Sequence, residues 1–329
     1  MLIKHKNTMN IFDLLESHFI KPENTNARCN FCDIPKQISF DNSNINIIGI
    51  PIDITTTFGK TTSFGPEAIR ITSANQIETL VYEKDMEIFD KALVYDLGDL
   101  LLPVKNSSEF DKINELELFW KEFDEKASNV ISFLLHQKKK PVILGGEHTI
   151  TYSIFKEFSK CDPLLLHFDA HRDLKPIYNG MRICHTTPFY HLINEGYLNG
   201  QNLVQIGIRQ ADKNENLFAS ENKIKTFDAW NCHYSFDILK EWIQQNSKDR
   251  NIYISFDIDV YDISYLPCTG TAEPFGLNPF QIYEIINSID KSSNLIGLDL
   301  VETGLKNNDY REGTLATQTL LRILSQDFV

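Results

Sequence analysis

The sequence predicts an α/β fold built on a mostly parallel sheet covered on both faces, and three observations carry that prediction. Short, near-continuous apolar runs rich in Ile, Val, Leu, Phe and Tyr alternate with amphipathic stretches of helical period, the pattern of strands buried on both faces. Acidic and imidazole side chains cluster directly after several of these runs, and open parallel sheets bind ligands beyond the carboxyl ends of their strands. No repeat, low-complexity tract or linker divides the 329 residues.

The elements follow in chain order. Residues 1–43 precede the first apolar run, are rich in Asn and Lys, and read as an N-terminal extension with a helix over Ile11–Phe19. A single domain is expected over 44–329. Strands are expected at Ile45–Ile50, Leu93–Tyr95, Val142–Leu144, Leu164–Phe168, Leu203–Ile206, Ile224–Phe227, Ile252–Phe256 and Leu295–Leu298. Apolar positions recurring every three to four residues predict helices over Glu115–Gln137, Thr149–Ser159, Phe236–Gln245, Pro279–Ser288 and Thr314–Ser325. The Lys138–Lys140 run before Pro141 reads as a solvated helix end, where cations favour the dipole.

Composition narrows the function. With 42% hydrophobic and 23% charged residues the chain has the make-up of a globular protein. A net charge of −13 argues against nucleic acid, whose phosphates would be repelled; it suits a cationic substrate and equally a merely soluble surface. No apolar stretch approaches the roughly twenty residues that span a bilayer, and the charged N-terminus has no signal-peptide core. A cytoplasmic protein is expected. Six cysteines are scattered. Cys29 and Cys32 form a lone CxxC, a redox pair or half a zinc site, but no second pair follows, so reduced thiols are expected.

Two strings carry the chemistry. HFDAHRD (His167 to Asp173) and SFDIDVYD (Ser255 to Asp262) place acidic or imidazole side chains at every second position after an apolar run. In an extended strand such positions share a face, so Asp169, His171 and Asp173 are expected to converge, as are Asp257 and Asp259. Without a cation such a cluster would repel itself strongly. His148, in GGEH, completes six O/N ligands with no thiolate, a set that suits paired hard or borderline divalent ions. Singly, each has a plainer reading: His148 a hydrogen-bonded core histidine, Asp169 or Asp257 a cap or loop anchor. The repeated spacing at two strand ends favours a two-metal hydrolase.

GGEH, DAHRD and SFDID resemble the signature strings of the ureohydrolase family, which includes arginases, agmatinases, guanidino-acid hydrolases and formiminoglutamases. The resemblance extends through GIPID (Gly49 to Asp53), SFGPEAIR (Ser63 to Arg70), GIRQ (Gly207 to Gln210), TGTAEP (Thr269 to Pro274) and LDLVE (Leu298 to Glu302), and so covers residue 45 to the end. It implies a three-layer α/β/α fold with an eight-stranded parallel sheet and homo-oligomers, trimers or hexamers. It implies one metal on His148, Asp169, Asp173 and Asp257 and a second on His171, Asp169, Asp257 and Asp259, so that Asp169 and Asp257 bridge. The implied pair is two Mn²⁺ per subunit, with Ni²⁺ as the alternative.

By the same resemblance Asp173 moves a proton, His185 in CHTTPF is a proton shuttle, and Glu302 grips the planar guanidinium. The plainer alternatives are a surface-loop histidine for His185 and a capping or ion-paired glutamate for Glu302. Two cations about 3.5 Å apart lower the pKa of a water held between them enough to give a nucleophile near neutral pH. Departures are Ile263 after Asp262 for the usual proline, HTTPF where agmatinase-like members carry glycine after the histidine, and Ser63 for arginine before FGP. Arginases hold the amino-acid head with Ser and Asn positions before the shuttle; Met181-Arg182-Ile183-Cys184 has neither, which disfavours L-arginine. Met181 would offer a methylene chain an apolar wall, as in agmatine. Arg182, or Arg172, would instead read the carboxylate of a guanidino acid, unless both are solvated charges. Formiminoglutamase and a non-catalytic homologue are the remaining alternatives, and retention of all six ligands argues against the latter.

Overall fold

The computed structural model describes residues 15–102 and 113–326. Its centre is a nine-stranded sheet of β1 (Phe19–Ile20), β2 (Ile45–Ile50), β3 (Val94–Leu100), β4 (Lys140–Gly145), β5 (Leu164–Phe168), β6 (Leu203–Ile208), β7 (Lys225–Asp228), β8 (Asn251–Asp257) and β9 (Asn294–Val301). The spatial order is β1-β3-β2-β4-β9-β8-β5-β6-β7. Eight strands run parallel, and only the two-residue β1 pairs antiparallel, at the β3 edge. All eight expected strands are present, several longer than expected. A two-residue strand leaves too little pattern to read, which is why β1 was not expected.

Helices cover both faces: α1 (Gly65–Asn75), α2 (Ile113–His136), α3 (Ile150–Phe155), α4 (Pro188–Asn194), α5 (Lys213–Glu221), α6 (Phe236–Ser247), α7 (Pro279–Asn287) and α8 (Arg311–Leu324). The strand period of two divides the core into halves. Ile252, Ile254 and Phe256 of β8 pack with Leu239 of α6, Ile285 of α7 and Leu320 of α8. Tyr253 faces the other way, among Phe123 and Ile131 of α2, Phe155 of α3 and Phe189 of α4. The helix expected over Thr149–Ser159 is α helix only to Phe155, and a 3₁₀ stretch continues over Lys156–Cys161.

The first four residues of the helix expected over Ile11–Phe19 lie outside the described residues; of the rest, Leu15 and Glu16 are helical, Ser17 and His18 turn, and Phe19 belongs to β1. The described part of the extension joins the domain's cores: Phe31, Ile34 and Ile38 lie on one face and Phe19 and Phe40 on the other. A buried ion cluster pins it. Arg70, fully buried, grips Asp96 through Nε and Nη2 at 2.8 and 2.9 Å and Asp99 through Nη1 at 2.5 Å. Asp96 also accepts the Phe31 amide at 3.0 Å. Removing one partner of such a cluster leaves an uncompensated buried charge, at a cost of about 3–5 kcal/mol. All six cysteines are free thiols.

Candidate active site

The adjacent strands β4, β9, β8 and β5 deliver the candidate ligands at their carboxyl ends. After β4 the chain turns at Gly146, where a Cβ would lie 2.0 Å from the Ile52 carbonyl; only glycine fits, and the turn aims Glu147 and His148 along the sheet edge. Asp257 is the last residue of β8, and Asp259 follows within a 3₁₀ turn over Ile258–Val260. The strand alternation expected for DAHRD is not what brings its ligands together. β5 ends at Phe168, beyond which His171 makes only an isolated bridge to Gln210. Asp173 then takes a left-handed φ of 54°, and Glu302, after β9, takes 61°. Such conformations cost non-glycine residues on the order of 1–3 kcal/mol and cluster at functional sites.

His148 Nδ1 is the focus of the first group. It lies 3.2 Å from Asp169 Oδ2, 3.1 Å from Asp173 Oδ2 and 3.3 Å from Asp257 Oδ2, yet it is buried with no hydrogen-bond partner of acceptable geometry. Its other nitrogen fixes the tautomer. Nε2 sits 2.9 Å from Ser255 Oγ, whose own proton goes to Asp299 Oδ1 at 2.7 Å, so Nε2–H donates and Nδ1 is the nitrogen left to face the three carboxylates, where it can hold either a proton or a cation. Tyr253 donates to the second oxygen of Asp299 at 2.6 Å. The second group is His171 Nδ1, 2.9 Å from Asp259 Oδ2 and 3.4 Å from Asp169 Oδ1. Asp169 belongs to both groups and is held from behind by His167 Nε2 at 2.7 Å. Gln205 donates to His167 Nδ1 at 3.2 Å, which leaves the His167 proton on Nε2.

The electrostatics match cation ligation. Burial alone would lower the His148 imidazole, but Asp169, Asp173 and Asp257 outweigh it and raise it well above its usual value. Burial, then Asp259 and Asp169, push Asp257 well above the carboxylate range, and burial with Asp169 pushes Asp173 to about 7. Protons thus neutralise the cluster where cations would. An orphaned imidazole nitrogen among carboxylate oxygens and crowded, reluctantly ionised acids fit two divalent ions with oxygen and nitrogen donors.

Above this cluster lies a cavity of about 320 Å³ lined by His148, Asp173, Asp257, His185 and Glu302, and also by Lys175, Tyr178 and Gln210. Larger cavities elsewhere, including one of about 580 Å³ between α7 and α8, hold no comparable cluster among the described residues. Glu302 accepts the His148 amide at 2.7 Å through Oε1; burial, then Glu147, hold it well above its ordinary value. His185 enters from the loop before α4, and its Nδ1 lies 3.1 Å from the Thr55 hydroxyl. Burial lowers the His185 imidazole, as do His171 and His148, against the opposing pull of Glu147.

Met181 and Arg182 are not brought here. Both line a separate cavity with Tyr152 and Trp120, and Arg182 is committed to Glu195 at 2.7 Å. A bridge between Tyr178 and Met181 folds this part of the loop back before it returns to His185. Arg172 also points away, to Asn216, Gln205 and Thr226. Sequence reasoning missed Thr55, Ser255, Asp299, Lys175 and the role of Glu147, although Glu147 stands inside GGEH.

Comparison with known proteins agrees with this geometry. Residues 43–323 match the arginase family. The chain is 31% identical to an agmatinase of Halalkalibacterium halodurans over 88% of its length and 93% of that protein. It is 33% identical to a mitochondrial guanidino acid hydrolase of Homo sapiens, over 83% and 75%. Among solved structures, the proclavaminate amidino hydrolase of Streptomyces clavuligerus superposes with a TM-score of 0.76 at 26% identity, covering 91% of this chain and 96% of that one. Sequence, fold and ligand geometry agree: the chain belongs to the arginase family, as a metal-dependent hydrolase of linear amidines.

Proposed function

We propose that the protein hydrolyses the guanidino C–N bond of a linear substrate, releasing urea and an amine. The observation that carries this reading is the pair of buried imidazole–carboxylate groups sharing Asp169 beneath the cavity that holds Glu302 and His185. His148, Asp169, Asp173 and Asp257 would hold one ion, and His171, Asp169, Asp257 and Asp259 the other; Mn²⁺ is the expected metal and Ni²⁺ the alternative. When bound, the ions supply a water nucleophile at neutral pH and polarise the substrate.

The chain's own groups do the rest. Glu302 has one oxygen committed to the His148 amide; the other is available to a guanidinium N–H, and the charge-assisted bond orients the reacting carbon. Asp173 takes a proton released as the C–O bond forms and returns it to the departing nitrogen. His185 carries protons between this pocket and solvent, with Thr55 fixing the ring. The protein would work in the cytoplasm as a homo-oligomer; no helix among the described residues is long and apolar enough to cross a membrane.

Agmatine and an ω-guanidino acid are the two substrate classes to separate. Met181, the residue whose apolar side chain favoured agmatine, lines another cavity. The test is urea release from agmatine, 4-guanidinobutyrate, 3-guanidinopropionate, arginine and guanidine with Mn²⁺ or Ni²⁺, alongside ammonia release from formiminoglutamate. Urea from at least one guanidine is expected; formiminoglutamate as the sole substrate would replace this reading.

A further inference from the structure

On the reading that the chain acts on a linear guanidino compound, we propose that Lys175 selects the substrate's tail, admitting a terminal carboxylate and turning away a terminal ammonium. Lys175 stands two residues beyond Asp173 and lines the same cavity as His185 and Glu302. It is the only lysine or arginine among the described residues lining that cavity. Of the acids there, Asp173 and Asp257 belong to the ligand groups and Glu302 is reserved for the guanidinium. That leaves Asp212 and Glu215 as partners for a cationic tail.

Both are already engaged. Lys175 Nζ lies 2.6 Å from Asp212 Oδ2 and 2.9 Å from Glu215 Oε2. Asp212 Oδ1 caps α5, accepting the Asn214 and Glu215 amides at 2.8 and 3.0 Å. Glu215 accepts the Leu174 amide at 3.1 Å through Oε1 and the Asp212 amide at 3.0 Å through Oε2. The Lys175 side chain therefore occupies the place a substrate ammonium would take, and an incoming ammonium meets a like charge. An ammonium has three N–H donors; the structure gives this one two acceptors, and the third serves a ligand. Neutral donors nearby, Tyr178 and Gln210 among them, suit the remaining lone pairs of a carboxylate.

The net charge of −13 pulls the other way, toward cations, but that field acts at long range and is screened within about 10 Å at 0.1 M salt. It governs encounter rates, whereas the charge in contact with the tail governs discrimination.

The experiment compares 4-guanidinobutyrate with agmatine, whose tails differ chiefly in terminal charge. Metal-loaded protein should show kcat/KM for the acid at least about tenfold above that for agmatine. Lys175→Met should lower the first and raise the second, because Asp212 and Glu215 become available to an ammonium; general damage cannot move the two in opposite directions. Lys175→Arg should keep the preference and Asp212→Asn should strengthen it, so the proposal stays testable if the methionine variant fails to fold. Calorimetric binding of both compounds separates this proposal from the activity. If neither is hydrolysed but the acid binds in preference and Lys175→Met abolishes that preference, the hydrolytic reading falls and tail selection stands. Wild-type protein that binds or turns over agmatine at least as well as the acid, or that binds neither, overturns tail selection.

Discussion

Thr55 holds His185 twice: its hydroxyl oxygen lies 3.0 Å from the His185 amide and 3.1 Å from the ring's Nδ1. The hydroxyl proton goes to Glu147 Oε1 at 2.8 Å, which leaves the Thr55 oxygen as the acceptor and puts the imidazole proton on Nδ1. Nε2 is then the free nitrogen. Glu147 is itself fixed by the amides of Ile54, Thr55 and Thr56 at 2.8, 2.6 and 3.1 Å, so the loop after β2 sets the tautomer of a histidine 130 residues away.

Thr55→Val keeps the shape and the Glu147 amide bonds but removes this acceptor. It should lower kcat by about tenfold or more, a fraction of what general acid–base catalysis supplies, with KM and metal content nearly unchanged. Steady-state kinetics with elemental analysis decide; an unaltered kcat removes Thr55 from the proton path.

His185 also links stability to pH. Its folded value is depressed, chiefly by burial, so the stability tied to its neutral form is present above about 6.5 and is lost as pH falls through the lower folded value. His185→Asn should therefore lose less thermal stability than wild type on going from pH 7 to pH 5. The metal cluster titrates in both proteins and cancels in the difference of their melting curves. Parallel curves would mean that His185 is not buried as described.

Asp257→Ala removes a carboxylate 3.3 Å from His148 Nδ1 and one of the two proposed bridges. Activity should fall at least about 100-fold, since even partners behind the ligands are worth 10–100-fold. Metal content should drop below two per subunit while the far-ultraviolet circular dichroism stays that of the wild type. Two tightly held ions in the variant would contradict the bridging role.

Arg182→Ala tests the loop. The Arg182 side chain is half exposed and paired with Glu195, a contact worth about 0–1 kcal/mol. The change should leave the ratio of activities on 4-guanidinobutyrate and agmatine within about twofold and cost at most about 1 kcal/mol. A shift of the ratio toward agmatine would bring Arg182 back to the substrate.

The difference between Arg182 and the ligands shows what a sequence carries and what it does not. Asp169, His171, Asp257 and Asp259 are legible because acidic and imidazole side chains recur at every second position after two separate apolar runs, a repetition that a single cap or loop anchor does not explain. Nearness in sequence to His185 made Met181 and Arg182 look like pocket residues, but the Tyr178–Met181 bridge turns them toward Tyr152. Lys175 and Thr55 left no periodic trace, since each depends on partners some 40 or 90 residues away. The short helices α4 and α5, of 7 and 9 residues, give too few turns for a periodic signal to stand out, although the capping box Asp212–Glu215 marks the start of α5.

Removing the metals should expose the cluster's own titration. Without cations, His148 and His171 sit well above the usual imidazole value, Asp173 is pushed to about 7, and Asp257 is raised well above its ordinary range. Every one of these folded values is raised, so each contributes stability that is complete below the unfolded value and lost as pH rises through the folded one. Asp169, lowered well below its usual value, acts oppositely, but its contribution is lost only in strong acid; the depressed His167 and His185 also oppose the trend, two groups against the four that are raised. The chelated protein should therefore weaken steadily from pH 5.5 to pH 8. Bound cations replace the protons and should suppress the trend, so the gain in melting temperature on adding Mn²⁺ should grow across the same interval, with protons released on binding. Melting curves with Mn²⁺ and with a chelator at four pH values provide the comparison. A gain that stays flat, or shrinks toward alkaline pH, would show that these carboxylates and imidazoles are not where the cations bind.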